Sequence, residues 1–209
     1  MQGKARIGIL AVQGDYEAHG RMLARLELEH VFVKVPADLR GLDGLILPGG
    51  ESTTQLKFLT EGGLEPAIRE FGARGGAFFG TCAGAILLAR EVHNPAQVSL
   101  GLADLVVARN AYGRQLASEV RLGPSELKPE LLEMVFIRAP IIERVGRAVE
   151  VLAESEGRPV LVRQGRVLAA TFHPELTADT TVHQFFLRLV VGGTGEALKQ
   201  AEAKVTLSS

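Results

Sequence analysis

Four short, nearly unbroken apolar runs, each closed by glycine or proline, constrain this chain more than any other feature. They lie at residues 5–12, 30–35 (before Pro36), 44–47 (before Pro48) and 76–79. A strand that is apolar at every position must be buried on both faces, which happens in parallel sheets covered by helices. Helical spacing fills the gaps: Ala18, Met22 and Leu26 recur on one face, and residues 52–71 and 83–90 read as helices. Strands alternating with helices predict an α/β protein with a largely parallel central sheet.

The second half changes character. Residues 115–122, 133–139, 149–153, 160–163 and 167–172 read as strands, with Gln164-Gly165 a hairpin tip and several strands antiparallel additions to the sheet. A last helix is predicted from Val182, Phe185, Phe186, Leu189 and Val190, which repeat at i, i+3, i+4, i+7 and i+8. There is no internal repeat and no dividing linker, so residues 1–209 are expected to form a single domain, with the tail after about residue 192 loosely held.

Charge and cysteine usage narrow the partners. The formal net charge is -1, from 23 basic and 24 acidic residues, with no basic cluster of the kind that binds nucleic acid or an anionic membrane. A small molecule or another protein is the expected partner. One cysteine cannot form an internal disulfide and suits a reducing compartment, so a cytoplasmic setting is expected. The apolar run ending at Val12 is too short for a signal-peptide core and has no small-residue cleavage site after it.

That single cysteine sits in Gly80-Thr81-Cys82-Ala83-Gly84, where a buried strand gives way to a helix. Small residues two before and two after a nucleophile let the backbone turn sharply and hold the side chain above the sheet edge. The positive end of the following helix would favour the thiolate. A small buried hydrophobe in a tight turn is the alternative. Downstream, Pro174 pushes His173 out of helical conformation, so the histidine should end an extended strand. Glu175, two residues on, would then project to the same side and fix the imidazole. Cysteine, histidine and carboxylate would supply nucleophile, acid/base and orienting group. His19, His30, His93 and His183 have no such setting and read as structural. A third feature is Pro48-Gly49-Gly50-Glu51-Ser52, where paired glycines let backbone N–H groups face a developing oxyanion. One donor there and the Ala83 N–H would make an oxyanion hole; an ordinary turn with Ser52 as helix cap is the alternative.

A Gly-x-Cys-x-Gly elbow, a later His-Pro-Glu and an earlier Pro-Gly-Gly loop resemble the class I (triad) glutamine amidotransferases. Residues 45–53, 80–84 and 109–115, with Val12-Gln13-Gly14-Asp15, closely resemble the PdxT/SNO family, the glutaminase subunit of pyridoxal 5'-phosphate synthase. The resemblance implies a flavodoxin-like three-layer α/β sandwich with a mostly parallel central sheet. It implies Cys82, His173 and Glu175 as the triad, and Gly50, Glu51, Ser52, Arg109, Ile137 and Arg138 around the glutamine. It also implies ammonia delivery to a PdxS/SNZ-like synthase subunit with no metal or organic cofactor, pyridoxal 5'-phosphate being the product of the complex. Other readings of the same elbow are a glutaminase for another acceptor, such as imidazole glycerol phosphate synthase, a cysteine peptidase, a stress-response thiol protein, and a non-catalytic subunit.

Overall fold

A computed structural model describes residues 5–109 and 118–192. The first half runs β1 (Ile7–Leu10), α1 (Tyr16–Arg25), β2 (His30–Val33), β3 (Gly44–Leu47), α2 (Ser52–Glu61), α3 (Leu64–Ala73), β4 (Ala77–Thr81) and α4 (Ala83–Leu88). The second half adds β5 (Ala89–His93), β6 (Ala103–Ala108), β7 (Glu119–Ser125), β8 (Lys128–Phe136) and β9 (Ile141–Val145). It ends with β10 (Glu150–Ser155), β11 (Arg158–Gln164), β12 (Val167–Ala170) and α5 (Thr181–Gly192).

The main sheet has nine strands in the order β2-β1-β3-β4-β12-β11-β10-β7-β8. Its first five strands pair in parallel. From β12 onward every pairing is antiparallel. The sheet is therefore mixed in equal measure, where the sequence predicts a mostly parallel one; the antiparallel additions form half of it. A smaller sheet, β5-β6-β9, packs beside it and is absent from the sequence reading.

Period-two alternation within the buried strands builds the layers. In β3, Leu45 and Leu47 join Leu59, Leu64, Ile68 and Phe71 on the α2/α3 side, and in β4 Phe78 does the same. Ile46 and Phe79 face the other way, toward Leu23 of α1 and Val182, Phe186 and Leu189 of α5. Burial of each such side chain stabilises the fold by roughly 1.5–3 kcal/mol. All five residues of the predicted α5 stripe are buried, and β11 and β12 form the predicted hairpin around Gly165.

Two helix boundaries differ from the pattern. The segment 52–71 is two helices, because Gly62 caps the first and Gly63 takes a left-handed conformation before the second. The helix after Cys82 stops at Leu88, and its next residues become β5. Residues 115–117 of the predicted strand 115–122, residues 110–115 of the arginine motif and the tail from 193 lie outside the described residues. Among the described residues no helix is long and apolar enough to cross a membrane.

Candidate active site

Every predicted chemical group gathers at the carboxyl edge of the parallel strands, where open α/β sheets place their sites. Cys82 follows β4 directly, with φ 48° and ψ -103°, the strained conformation of an elbow. Its N–H donates to Ala170 O at 2.8 Å, fixing the turn to β12. The flanking glycines are required by close approach. A Cβ on Gly80 would lie 2.6 Å from the Gly84 carbonyl group, and one on Gly84 would lie 1.9 Å from Leu47 O.

His173 arrives from β12, past Thr171 and Phe172, and its own N–H donates to Val135 O of β8 at 2.8 Å. The strand ends at Ala170, two residues short of the predicted end at Phe172 and three before His173. Pro174–Leu176 then forms a 3-10 turn, so Glu175 reaches His173 through a turn and not through extended alternation. The reach is nevertheless made: His173 Nδ1 and Glu175 Oε1 are 2.8 Å apart, both side chains buried. Burial opposes charge on His173, but the Cys82 sulfur and Glu175 carboxylate outweigh it and raise its pKa from 6.5 to about 10. Burial likewise works against ionised Glu175; the nearby His19 N–H, together with the hydrogen bond and charge of His173, reverses this and holds it below the ordinary carboxylate range.

A cavity of about 540 Å³ opens over the sulfur. It is lined by Gln13, Gly14, Asp15, Gly50, Glu51, Ser52, Cys82, Ile86, Arg109, Ile137, Arg138 and His173. All six residues expected around a substrate are there; Glu175 stands behind His173. Glu51, not Ser52, caps α2. Its carboxylate accepts from Thr53 N at 3.2 Å and from Thr54 N and Thr54 Oγ1, each at 2.7 Å. These threonine donors overcome desolvation and hold its pKa at about 2. Ser52 instead donates to Gln97 Oε1 at 2.9 Å. Arg109 Nη2 donates to Glu51 Oε1 at 3.2 Å, so an anionic and a cationic group stand together on the cavity wall. Arg138 is exposed, with a left-handed φ of 44°.

The glycine loop is tied to the first β-strand's loop. Asp15 N donates to Gly49 O at 3.1 Å, Glu51 N donates to Gln13 Oε1 at 2.9 Å, and Gln55 Nε2 bridges Gln13 O and Pro48 O. Because the Gly49–Gly50 peptide is trans, its N–H is aimed away from the Gln13–Asp15 loop. Among the described residues no three His, Cys, Asp or Glu side chains converge to hold a metal ion.

Residues 9–192 match the sequence model of the SNO glutamine amidotransferase family. The chain belongs to that family. A relative from Koribacter versatilis, named pyridoxal 5'-phosphate synthase subunit PdxT, is 54% identical over 90% of this chain and 97% of its own. A subunit of the same name from Solibacter usitatus is 52% identical over 87% and 97% respectively. Among solved structures, one described as a glutamine amidotransferase superposes with a TM-score of 0.83 at 48% identity, covering 88% of this chain and 98% of that one. The SNO membership and this superposition agree with the fold class expected from the motifs.

Two histidines that read as structural in the sequence belong to the site's interior. His19 of α1 and His183 of α5 are fully buried behind Glu175, with Thr81 between them and the carboxylate. A signal existed. His183 shares the α5 stripe with Phe186 and Val190, three and seven residues on, and His19 shares the α1 face with Met22 and Leu23. A polar side chain in an apolar stripe must find a partner.

Proposed function

We infer that the chain hydrolyses L-glutamine to L-glutamate and ammonia as the glutaminase subunit of pyridoxal 5'-phosphate synthase. The observation that carries the reading is the alignment of Cys82, His173 and Glu175 at the floor of a cavity whose wall bears Glu51 and Arg109. The relatives named as that subunit, at more than half identity, support the acceptor.

A zwitterionic amino acid fits this wall. Its α-ammonium would meet Glu51 and its α-carboxylate Arg109 or Arg138, with the side-chain amide directed at Cys82. Cys82 sulfur attacks the amide carbon, and the C=O electron pair moves onto oxygen. The Ala83 N–H and one donor of the Gly49-Gly50 loop would receive that charge. His173 holds its proton at neutral pH beside the sulfur and is placed to give it to the departing nitrogen, so the C–N bond breaks and ammonia leaves. Water, deprotonated by His173, then attacks the glutamyl thioester, and the C–S bond breaks to give glutamate and return Cys82 as the thiolate beside protonated His173. Glu175 orients the imidazole and balances its charge.

Ammonia would pass to a PdxS/SNZ-like synthase subunit in the cytoplasm, and docking of that subunit would control the reaction. The ties from Gln13 and Asp15 to Gly49 and Glu51 support this, since contact on the Gln13–Asp15 loop would act on the glycine peptide directly. The test is kcat for glutamine hydrolysis at saturating substrate, alone and with excess synthase subunit. A large rise with the partner is the expected result; equal values, with binding demonstrated, would leave a constitutive glutaminase.

A further inference from the structure

Behind the Cys82–His173–Glu175 alignment lies a second line of polar groups that the reaction above does not use. His183 Nε2 and His19 Nδ1 are 2.9 Å apart, His19 Nε2 and Thr81 Oγ1 are 3.1 Å apart, and Thr81 Oγ1 donates to Glu175 Oε1 at 3.3 Å. All four side chains are buried. Phe79 closes the apolar side, with its ring 5.9 Å from that of His19 and 5.3 Å from that of His183.

The proton positions follow from chemistry. An ionised Glu175 only accepts, so Thr81 must spend its one proton on it and must itself accept from His19. His19 is therefore the Nε2–H tautomer, leaving Nδ1 as a lone pair that accepts from His183 Nε2–H. His183 Nδ1 then carries no proton, and it is among the buried atoms with no partner in the described residues. The opposite set of tautomers would deprive Glu175 of the Thr81 proton and set the His19 Nε2 lone pair 3.6 Å from the carboxylate, a repulsive contact. We infer that His183, His19 and Thr81 form a one-way hydrogen-bond relay, every proton pointing toward Glu175 Oε1, that positions this carboxylate as the acceptor for His173. Glu175 Oε2 receives no hydrogen bond among the described residues, so Oε1 alone collects the relay and His173.

Both relay histidines stay neutral. Burial lowers His19 and His183, outweighing attraction to Glu175. The charged or titratable groups facing them are Glu175 and His173 after β12 and Asp15 at the start of α1, with Cys82 beyond His173. Aligned neutral dipoles thus support the carboxylate without placing a second positive charge beside His173.

The catalytic consequence rests on the glutaminase reading, whereas the tautomers are properties of the fold, so two arms separate them. In the full chain carrying ¹⁵N-histidine, NMR should find His19 and His183 neutral and protonated at Nε2 throughout neutral pH. A His19 protonated at Nδ1, or charged, would overturn the relay. In the complex with the synthase subunit, Thr81→Val should lower kcat about tenfold or more with little change in KM. It should also lower the pH at which His173 loses its proton, and Thr81→Ser should restore both. Unchanged kcat and an unchanged His173 titration in a folded Thr81→Val protein would overturn the positioning role. Absent turnover in the wild-type complex would reject the glutaminase reading instead, with the tautomers still deciding the relay.

Discussion

His173 Nδ1 stands 2.8 Å from Glu175 Oε1, a contact between side chains only two residues apart that is possible because Pro174 opens a tight turn between them. Charge on the imidazole follows. The folded pKa of His173, about 10, exceeds its unfolded value of 6.5. Its contribution to stability is therefore complete below 6.5 and is lost as pH rises through about 10. kcat/KM for glutamine should fall above that pH, and Glu175→Gln should move the fall to lower pH. His173→Ala should lower kcat about a hundredfold or more, with Glu175→Gln losing less, since an orienting group contributes less than the acid/base it orients. Full activity in both variants would dismiss the pair from the reaction.

A glutamine-analogue electrophile should modify Cys82 and stop turnover in step with labelling, because the elbow presents the sulfur to the cavity floor. Peptide mass analysis locates the adduct. Inactivation with Cys82 unmodified would move the nucleophile elsewhere.

Arg109→Ala and Arg138→Ala should each raise KM or lower kcat/KM for glutamine by roughly tenfold or more, the loss expected for one charge-assisted hydrogen bond. Melting temperatures should change little. Arg138 is exposed, and the Glu51 partner of Arg109 is half exposed, where ion pairs contribute about 0–1 kcal/mol. Unchanged kinetics would remove these residues from the substrate wall.

The fold was legible where one period governed a segment. β1, β3 and the α5 stripe announced themselves because burial on both faces, or on one face, leaves an unmistakable pattern. The β5-β6-β9 sheet did not. β5 and β9 carry exposed charged residues in place of an unbroken apolar run, and residues 89–90 continue a helical-looking segment, so only long-range pairing distinguishes them. Cys82 and His173 were marked by their glycine and proline neighbours, whose backbone demands are local. Arg109 and Arg138 came only through family resemblance, as their place in the cavity depends on distant strands. His19 shows in the sequence only as a polar residue on an apolar face; what it bonds to is not legible, because its partners, Thr81 and His183, are 62 and 164 residues away in sequence.

Acid should unfold the protein partly through His183. Burial depresses its pKa to about 3 from 6.5, so its contribution is complete above 6.5 and is lost as pH falls toward about 3. Each proton taken up on unfolding steepens the loss by about 1.4 kcal/mol per pH unit. His183→Leu should flatten the decline of melting temperature across this range, even if it lowers the value at neutral pH. An identical slope in the variant would mean that His183 is charged in the fold.

Gln13→Ala should weaken activation by the synthase subunit more than it weakens folding, because Gln13 Oε1 holds Glu51 N at 2.9 Å beside the glycine loop. A bulky residue at Gly14 should do so more strongly, since even a Cβ there would lie 1.9 Å from Gly49 O. Full activation of both variants would place the switch elsewhere.

Steady-state ammonia release from glutamine with saturating synthase subunit tests most directly whether Cys82 is the nucleophile of glutamine hydrolysis. Wild type should turn over, while a folded, partner-binding Cys82→Ala protein should release no ammonia above background. Turnover by the alanine variant at even about a tenth of the wild-type rate would contradict the assignment, because a lost nucleophile costs far more than tenfold.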